Sequence, residues 1–353
     1  MTEGVNTSLI NSEEVTCGEV SDPVVMNKHP LVSVKMCTYN HEPYIAQAIE
    51  GVLMQETDFP IELVIGEDCS TDRTREIVLG YQRKHPDVIR VVLWDKNVGG
   101  WRNSRELDGL LRGKYVALNE GDDYWTHPRK LQMQVDVMEA NPEVGLVHGG
   151  VDQYDVVRKR RYVWEPKPSG YDDGDILHKY MYGKYHIFTP TVCIRRDLHT
   201  AVRRDNPDTF HDRFLMGDLQ LWWELSRVTR FRLINEPLAT YNILPESASR
   251  FRDIRKLIRF RRSAIELRMH FIRKYNLGSA LEIYSRRRFA THSLEDAYVA
   301  GDRGLADSAW GELKRTHASI GLRQFVLFCG ARCVFARLAI GIVRSMKRLL
   351  CRT

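Results

Sequence analysis

The sequence predicts an α/β fold with a mostly parallel, Rossmann-like central sheet that carries helices on both faces. From Leu31 to about Gly150, apolar runs of strand length alternate with segments of helical spacing, and such alternation builds parallel βαβ units. Polar or acidic clusters follow three of the apolar runs at the points where the strands end. Open α/β sheets bind their ligands at that edge, so the same pattern predicts a ligand site.

The predicted elements follow in chain order. Predicted strands cover residues 31–37, 61–65, 88–93, 115–118 and 144–148, and predicted helices cover residues 44–54, 74–84, 101–111 and 131–139. The strands are short apolar runs, and the last of these helices stops near Asn141-Pro142. The pattern is less regular after Tyr154, where only a strand over residues 189–194 and a helix over residues 218–226 are predicted.

Composition narrows the class of protein. The 353 residues include no uncharged apolar run long enough to span a bilayer, and the first residues lack a secretory signal pattern. Seven dispersed cysteines favour reduced thiols, so we expect a cytoplasmic protein. The net charge of +6 is concentrated after Arg250, but no nucleic-acid-binding motif accompanies it, so no nucleic-acid partner is predicted.

The most informative cluster is Glu120-Gly121-Asp122-Asp123, which directly follows a buried strand. Crowded carboxylates repel one another unless a cation lies between them. Hard oxygen ligands at this density suit Mg²⁺ or Mn²⁺, ions that usually bind substrate phosphates as well. The cluster therefore predicts a metal-diphosphate site. A polar turn with solvated acids is the alternative.

Two further clusters follow the first and second strands. Thr38-Tyr39-Asn40-His41-Glu42 ends the first, and the stretch from Glu67 to Thr74 ends the second. Both precede helices, whose N-termini attract phosphate, and Asp68 is placed to accept from a nucleobase or ribose. Helix capping by residues 70–72 is the alternative. The chain has no glycine-rich dinucleotide fingerprint and no P-loop.

Further motifs extend the pattern along the chain. They are Asn97-Val98-Gly99-Gly100, Pro128, Lys130, Leu131 and Gln134 after the acidic cluster, Thr189-Pro190-Thr191, and the segment from Met216 to Trp222. In this order and spacing, the clusters resemble glycosyltransferase family 2, whose catalytic domain has the GT-A fold. The resemblance covers about residues 31–250. It implies a GT-A catalytic domain over residues 30–248. The polar first residues predict a flexible tail over residues 1–29, and the basic amphipathic pattern predicts a helical region over residues 249–353.

The resemblance also implies roles for individual residues. The positions that would bind the nucleotide sugar are Thr38, Tyr39, Asn40, Glu42, Asp68, Asn97, Glu120, Gly121 and Asp122. Glu120 and Asp122 occupy the first and third places of the family's Asp-x-Asp motif and would hold Mn²⁺ or Mg²⁺, with Glu replacing Asp at the first place. Asp123, Trp125 and Trp222 are assigned to the acceptor or sugar, although core packing is the alternative for the tryptophans.

Asp218 matches the carboxylate that the family uses as general base, which implies a single displacement with inversion at the anomeric carbon. The alternative is an N-cap of the following helix. Tyr241-Asn242-Ile243-Leu244 departs from the family's Tyr-Arg-x-His, so Arg250 or Arg252 is expected to replace the missing basic contacts with the diphosphate.

The basic C-terminal region carries two amphipathic patterns. One apolar face lies between Arg250 and Tyr275, and another runs from Phe328 to Leu349 with basic residues largely opposite it. The final helix is typical of one that lies on an anionic membrane surface. The alternative is a helix packed on its own domain.

The sequence thus predicts an inverting, metal-dependent glycosyltransferase. A UDP-sugar donor is favoured, with a glycan or lipid-linked acceptor in cell-surface polysaccharide synthesis, at the inner face of the cytoplasmic membrane. The alternatives are a sugar nucleotidyltransferase and a non-catalytic nucleotide-sugar-binding scaffold of the same fold.

Overall fold

The computed structural model describes residues 15–245, 253–316 and 320–333. The chain divides into two compact units: the first comprises residues 1–212 and 217–244, and the second comprises residues 213–216 and 245–353. The boundary that the sequence predicts at residue 248 lies outside the described residues.

The first unit is built on a ten-stranded sheet with the order β1-β4-β3-β2-β5-β9-β7-β10-β6, and β8 pairs with β7. The strands are β1 Cys17–Val20, β2 Val32–Thr38, β3 Ile61–Glu67, β4 Ile89–Trp94, β5 Tyr115–Glu120, β6 Tyr124–Trp125, β7 Val144–Asp155, β8 Arg160–Tyr162, β9 Cys193–Arg195 and β10 Arg230–Ile243. Strands β2 to β5 pair in parallel, as do β7 and β10. The predicted α/β fold class is confirmed.

Eight helices of the described residues belong to the first unit. They are α1 Pro23–Met26, α2 Ile45–Leu53, α3 Thr74–Lys84, α4 Gly99–Asp108, α5 Lys130–Ala140, α6 Ile176–Met181, α7 Arg196–Asp205 and α8 Gly217–Val228. Helices α2, α3 and α5 pack against the parallel strands in one buried core, to which Val34, Ile65 and Val91 contribute from neighbouring strands. Because the central strands are buried on both sides, they are continuous apolar runs rather than alternating ones.

Residues 17–26 correct the prediction of a flexible tail. Strand β1 pairs antiparallel with β4 at the edge of the sheet, and helix α1 follows it. Glu19 on β1 accepts from Nε of Arg90, 2.8 Å away, and Arg90 also donates to the buried Glu62 at 3.0 Å. An unpaired charge at Arg90 would be costly to bury, so the acidic side chain of β1 completes an ionic network.

Two other elements differ from the sequence prediction. The strand predicted over residues 189–194 is a turn of 3₁₀-helix, Thr189–Thr191, followed by the short strand β9. Pro190 lies at the beginning of that turn, where proline is favourable because its ring fixes φ near the helical value. The sequence pattern does not indicate the long strand β10, because Asn235, Glu236 and Pro237 interrupt its apolar residues. These three residues coincide with register shifts against β7.

The second unit is helical in its described part. Its helices are α9 Ile254–Lys274, α10 Ser279–Ala300, α11 Arg303–Arg315 and α12 Leu322–Arg332. Leu294, Leu313 and Leu327 from the last three of them share one apolar core. Residues 213–216 also belong to this unit, because Oγ of Ser263 donates to the carbonyl of Arg213 and accepts from the amide of Leu215.

The predicted terminal amphipathic helix falls mainly on residues 334–353, outside the described residues; of its apolar positions, Phe328 lies on α12. Within the residues that the structure describes, none of the helices combines the length and the apolar character needed to cross a membrane.

The buried His148 predicts how acid affects the stability of the fold. It lies on β7 with Nε2 2.7 Å from the hydroxyl of Tyr185, and burial lowers its pKa from 6.5 to about 4. Between these two values the unfolded chain binds a proton that the folded chain does not. Stability therefore falls as the pH falls from 6.5 towards 4, and His148 alone contributes about 2 kcal/mol of loss between pH 7 and pH 5.

Urea unfolding at pH 7 and pH 5 measures this loss. His148→Gln should reduce the difference between the two pH values, because glutamine does not titrate. His186→Gln, at an exposed position, is the control and should leave the difference unchanged. Equal pH differences in His148→Gln and the wild type would contradict the assignment.

Candidate active site

The loops that follow β2 and β3 are joined by hydrogen bonds at the carboxyl edge of the sheet. The amide of Asn40 donates to Oγ of Ser70 at 3.0 Å, and Oδ1 of Asn40 accepts from the amide of Thr71 at 2.8 Å. The next two residues continue the contact, since the backbone amide of His41 donates to Oγ1 of Thr74 and the backbone amide of Glu42 donates to Oδ2 of Asp72. The two polar clusters that the sequence singles out therefore form one continuous surface.

Both loops turn through left-handed backbone conformations. Asn40 has φ 54° and Cys69 has φ 56°, although residues with side chains adopt this region infrequently. Tight turns of this kind cluster at functional sites, where the surrounding hydrogen bonds hold them. Of the residues that the sequence proposes as caps, Asp72 accepts from the amide of Thr74, the first residue of α3, through its Oδ1, whereas the N-cap position itself is Arg73, which makes no side-chain capping bond.

Asp68 is buried, and its carboxylate organises the loop that begins α4. Its Oδ1 accepts from the amide of Val98 at 2.7 Å, and its Oδ2 accepts from the amide of Gly99 at 2.9 Å and from Nδ2 of Asn97 at 3.1 Å. Burial raises the pKa of Asp68, and the two amides oppose that rise. Asp68 and Asn97 thus lie together, as a shared pocket requires, and their contact with a nucleotide stays a prediction.

The acidic turn, which we define as residues 120–123, extends the same edge from β5. One carboxylate oxygen from each of Glu120, Asp122 and Asp123 lies within 4.8 Å of the others. Gly121 leaves room for this turn, because a Cβ there would lie 2.5 Å from Oγ1 of Thr38 and 2.8 Å from Nδ1 of His41. A glycine is therefore required where the acidic turn packs against the loop after β2.

Strand β10 holds the acidic turn from the other side. The amide of Asn242 donates to Oδ1 of Asp123 at 2.8 Å, and Nδ2 of Asn242 donates to the carbonyl of Asp122 at 2.6 Å. Asp123 is 1% exposed, and within the described part of the chain its Oδ2 has no hydrogen-bond partner. Asp123, which the sequence assigns to the acceptor, therefore belongs structurally to the carboxylate group.

The electrostatics of this group fit a divalent cation. Desolvation by the surrounding protein, then the charges of Asp122 and Asp218, raise the pKa of Glu120 to about 8. Glu120 as a whole residue is nevertheless exposed to solvent. Burial, and then the charges of Asp122 and Glu120, raise the pKa of Asp123 as well. Mg²⁺ and Mn²⁺ bind hard oxygen ligands. The acidic turn offers three carboxylates, including the buried Oδ2 of Asp123.

Asp218 lies in the first turn of α8, close enough for its charge to act on Glu120. It is accessible to solvent, and its Oδ1 accepts from the neighbouring amide of Leu219. Its pKa is raised, with desolvation as the main cause. The helix begins at Gly217, so Asp218 lies just inside it rather than at the capping position, and the fold brings this carboxylate to the acidic turn from almost a hundred residues further along the chain.

The two tryptophans that the sequence assigns to the acceptor or sugar are core residues, which corrects that prediction. Trp125 is 2% exposed and Trp222 is 0% exposed. Trp125 packs in the main core, and the ammonium of Lys130 lies 3.9 Å from the centre of its ring. Neither indole has a free face on which a sugar ring can stack, because the apolar interior covers both.

Sequence reasoning missed two residues of this edge. Nδ1 of His41 lies 3.2 Å from Oγ1 of Thr38. Burial lowers the pKa of His41, and the negative charge of the nearby Asp122 opposes that decrease. Its position within the first polar cluster was the available signal. Asn242 was noted only as a departure from the family's pattern, and nothing in its local sequence indicates a contact with residues 122 and 123.

Comparison with known proteins identifies the family to which the chain belongs. Residues 33–204 match the family model described as Glycosyl transferase family 2. Over 226 residues, the chain is 30% identical to a putative teichuronic acid biosynthesis glycosyltransferase, TuaG, of Bacillus subtilis (strain 168), and the match covers 63% of this chain and 83% of that relative. The chain belongs to glycosyltransferase family 2.

Other relatives of this family 2 glycosyltransferase match it over shorter stretches. It is 41% identical over 112 residues to an uncharacterized protein of Mycobacterium tuberculosis (strain H37Rv), and the match covers 32% of each chain. It therefore spans about a third of that relative's length. Among solved structures, S. aureus TarS superimposes with a TM-score of 0.52 at 18% identity, over 85% of this chain and 52% of that one, which shows a shared fold.

Proposed function

We propose that this family 2 glycosyltransferase transfers a sugar from a nucleoside diphosphate sugar to a glycan or lipid-linked acceptor, with inversion and with the help of Mn²⁺ or Mg²⁺. One observation carries the proposal: three carboxylate oxygens lie within 4.8 Å of one another at the carboxyl edge of the sheet, and Asp218 acts on the same group. The names of two relatives from Bacillus subtilis (strain 168) support the wider setting: TuaG is named a putative teichuronic acid biosynthesis glycosyltransferase, and EpsE a putative glycosyltransferase.

The acidic turn would hold the cation. Glu120 and Asp122 are the proposed ligands, and Asp123 adds a third carboxylate to the group. When bound, the divalent ion supplies Lewis-acid stabilisation of the leaving diphosphate. Desolvation, and then repulsion from the neighbouring acids, raise the pKa of Glu120. A cation between the carboxylates would relieve that repulsion, which gives the site a reason to bind one.

The remaining residues of the edge would bind the donor and move the proton. Thr38, Tyr39, Asn40 and Glu42 would line the nucleotide pocket, where the hydrogen bonds to residues 70–74 already fix the loop after β2. Asp68 and Asn97 would complete it. Asp218 would accept the proton of the attacking acceptor hydroxyl, and its raised pKa makes it a stronger base than an ordinary aspartate.

A panel of nucleotide sugars tests the proposal. Purified full-length protein is incubated with UDP-, GDP- and dTDP-sugars and Mn²⁺, and release of the nucleoside diphosphate is measured with and without excess chelator. Slow, Mn²⁺-dependent hydrolysis of one donor, with a UDP-sugar favoured, is expected. Formation of a nucleotide sugar from sugar phosphate and nucleoside triphosphate would instead identify a nucleotidyltransferase, and binding without turnover of any donor would identify a scaffold.

The proposal extends to an anionic membrane surface at the cytoplasmic face. Helix α9 presents exposed arginines at positions 255, 259, 262 and 273 along one side, whereas Leu267 and Phe271 of the same helix are buried. Helix α12 exposes 78% of Leu322 and 52% of Phe325. Basic residues near such a surface contribute about 1 kcal/mol each, and exposed apolar side chains can add to that attraction.

A flotation assay with anionic liposomes tests the membrane proposal. Deletion of residues 334–353 is the appropriate truncation, because α12 ends at Arg332 and supplies Leu327 and Ala331 to the core. We expect the full-length protein to float at low salt and less at high salt, and the truncated protein to float less while keeping its melting temperature. Early melting of the truncated protein, with a full-length protein that ignores liposomes, would show internal packing instead.

A further inference from the structure

Strand β10 ends beside the acidic turn, and Asn242 is the residue that joins them. Asn242 is buried, at 5% exposure, and its main chain is fixed because it pairs with Tyr154 of β7. It makes two contacts with the turn: the amide holds one oxygen of Asp123, and the side chain holds the carbonyl of Asp122. Each contact acts on a different part of the turn.

The two contacts have different chemical consequences. With Oδ1 of Asp123 occupied by the amide of Asn242, the unpartnered Oδ2 is the oxygen left for another ligand. The contact with the carbonyl of Asp122, at 2.6 Å, fixes the peptide between the two aspartates. The side-chain amide must present its nitrogen there, since a carbonyl can only accept.

We propose that Asn242 is a positioning residue that holds the acidic turn in the form that binds a divalent cation. The inference rests on the proposed function, because it assumes that the carboxylates of the turn are cation ligands. Residues that orient the ligands of a metal typically change its affinity by about ten- to a hundredfold when they are replaced. Asn242 would act through the backbone of Asp122 and would not touch the cation.

Two substitutions separate positioning from packing. Asn242→Leu keeps a side chain of similar length but removes the donor to Asp122, and Asn242→Ala removes both the donor and the volume. Thr240→Val is the matched control, because Thr240 is buried on the same strand and its hydroxyl contacts Arg161 rather than the acidic turn. The main-chain contact with Asp123 survives in all three variants.

The experiment measures Mn²⁺ binding to full-length protein directly, by the electron paramagnetic resonance signal of free Mn²⁺, with a melting curve in chelator and in Mn²⁺. We expect both Asn242 variants to bind Mn²⁺ about tenfold or more weakly and to lose most of the Mn²⁺-induced rise in melting temperature. Thr240→Val should bind as the wild type does. The melting curve in chelator identifies any variant that fails to fold. If one Asn242 variant fails, Mn²⁺ binding by the other decides whether Asn242 positions the acidic turn.

Two results would overturn the inference, and they are distinguishable. If the wild type binds Mn²⁺ and folded Asn242 variants bind it equally well, Asn242 has only a packing role. If the wild type itself binds no Mn²⁺, the proposed metal dependence fails together with the inference.

Discussion

Asp122→Ala is expected to lower turnover of the donor sugar by about a thousandfold or more, because it removes a carboxylate from the group that would hold the cation. Stabilisation of a leaving diphosphate by a divalent ion is worth several kcal/mol, and each 1.36 kcal/mol is a factor of ten in rate. The fold should survive and even gain stability in chelator, since the substitution relieves the repulsion that contributes to the raised pKa of Glu120.

Turnover and Mn²⁺-dependent nucleotide binding are measured side by side for this variant. Glu120→Asp is the comparison at the turn itself and should be tolerated, because it keeps a carboxylate. Asp136→Asn, on the exposed side of α5, controls for the loss of one negative charge. Wild-type activity that persists in excess chelator would contradict the metal assignment.

Asp218→Asn is expected to cut transfer to the acceptor by about a hundredfold or more while leaving donor and Mn²⁺ binding intact. A positioned general base is worth that much, and asparagine keeps the shape of the side chain but cannot take the proton. Since desolvation raises the pKa of Asp218, the wild-type rate should begin to fall at a higher pH than an ordinary aspartate would give, as acid protonates the base.

The pH profile of transfer distinguishes a base from a binding residue. The acid limb that belongs to Asp218 should disappear in Asp218→Asn, and Asp136→Asn should keep it. Collapse of donor affinity with normal transfer of bound donor would show that Asp218 binds substrate instead.

The central parallel strands β2 to β5 were predictable because burial on both faces makes them continuous apolar runs. Helix α3 was predicted with its observed bounds, Thr74–Lys84, since polar residues precede it and His85-Pro86 ends it. Strand β10 was not predictable from its own sequence. It carries polar residues and a proline at its register shifts, and its pairing with β7, nearly ninety residues away, is a property of the fold.

For the site, as for the fold, local sequence predicted the features at the strand ends but not the contacts made between distant segments. Strand ends place Asp68 and the acidic turn at one edge, which local sequence indicates. The contact of Asn242 with the turn spans 120 residues, so only the topology reveals it. Sequence could not separate a tryptophan in a site from one in the core, because both follow the same apolar pattern, and Trp222 required the structure to decide.

Residues 213–216 belong to the helical unit, although the chain on either side of them belongs to the first unit. Ser263 of α9 anchors Arg213 and Leu215, and Asp218 follows only a few residues later. The helical unit is consequently not a detachable module: a single cut or a gene fusion after residue 245 would leave the backbone just before Asp218 without its anchor. Exchange of the C-terminal region between relatives would therefore have to exchange residues 213–216 as well.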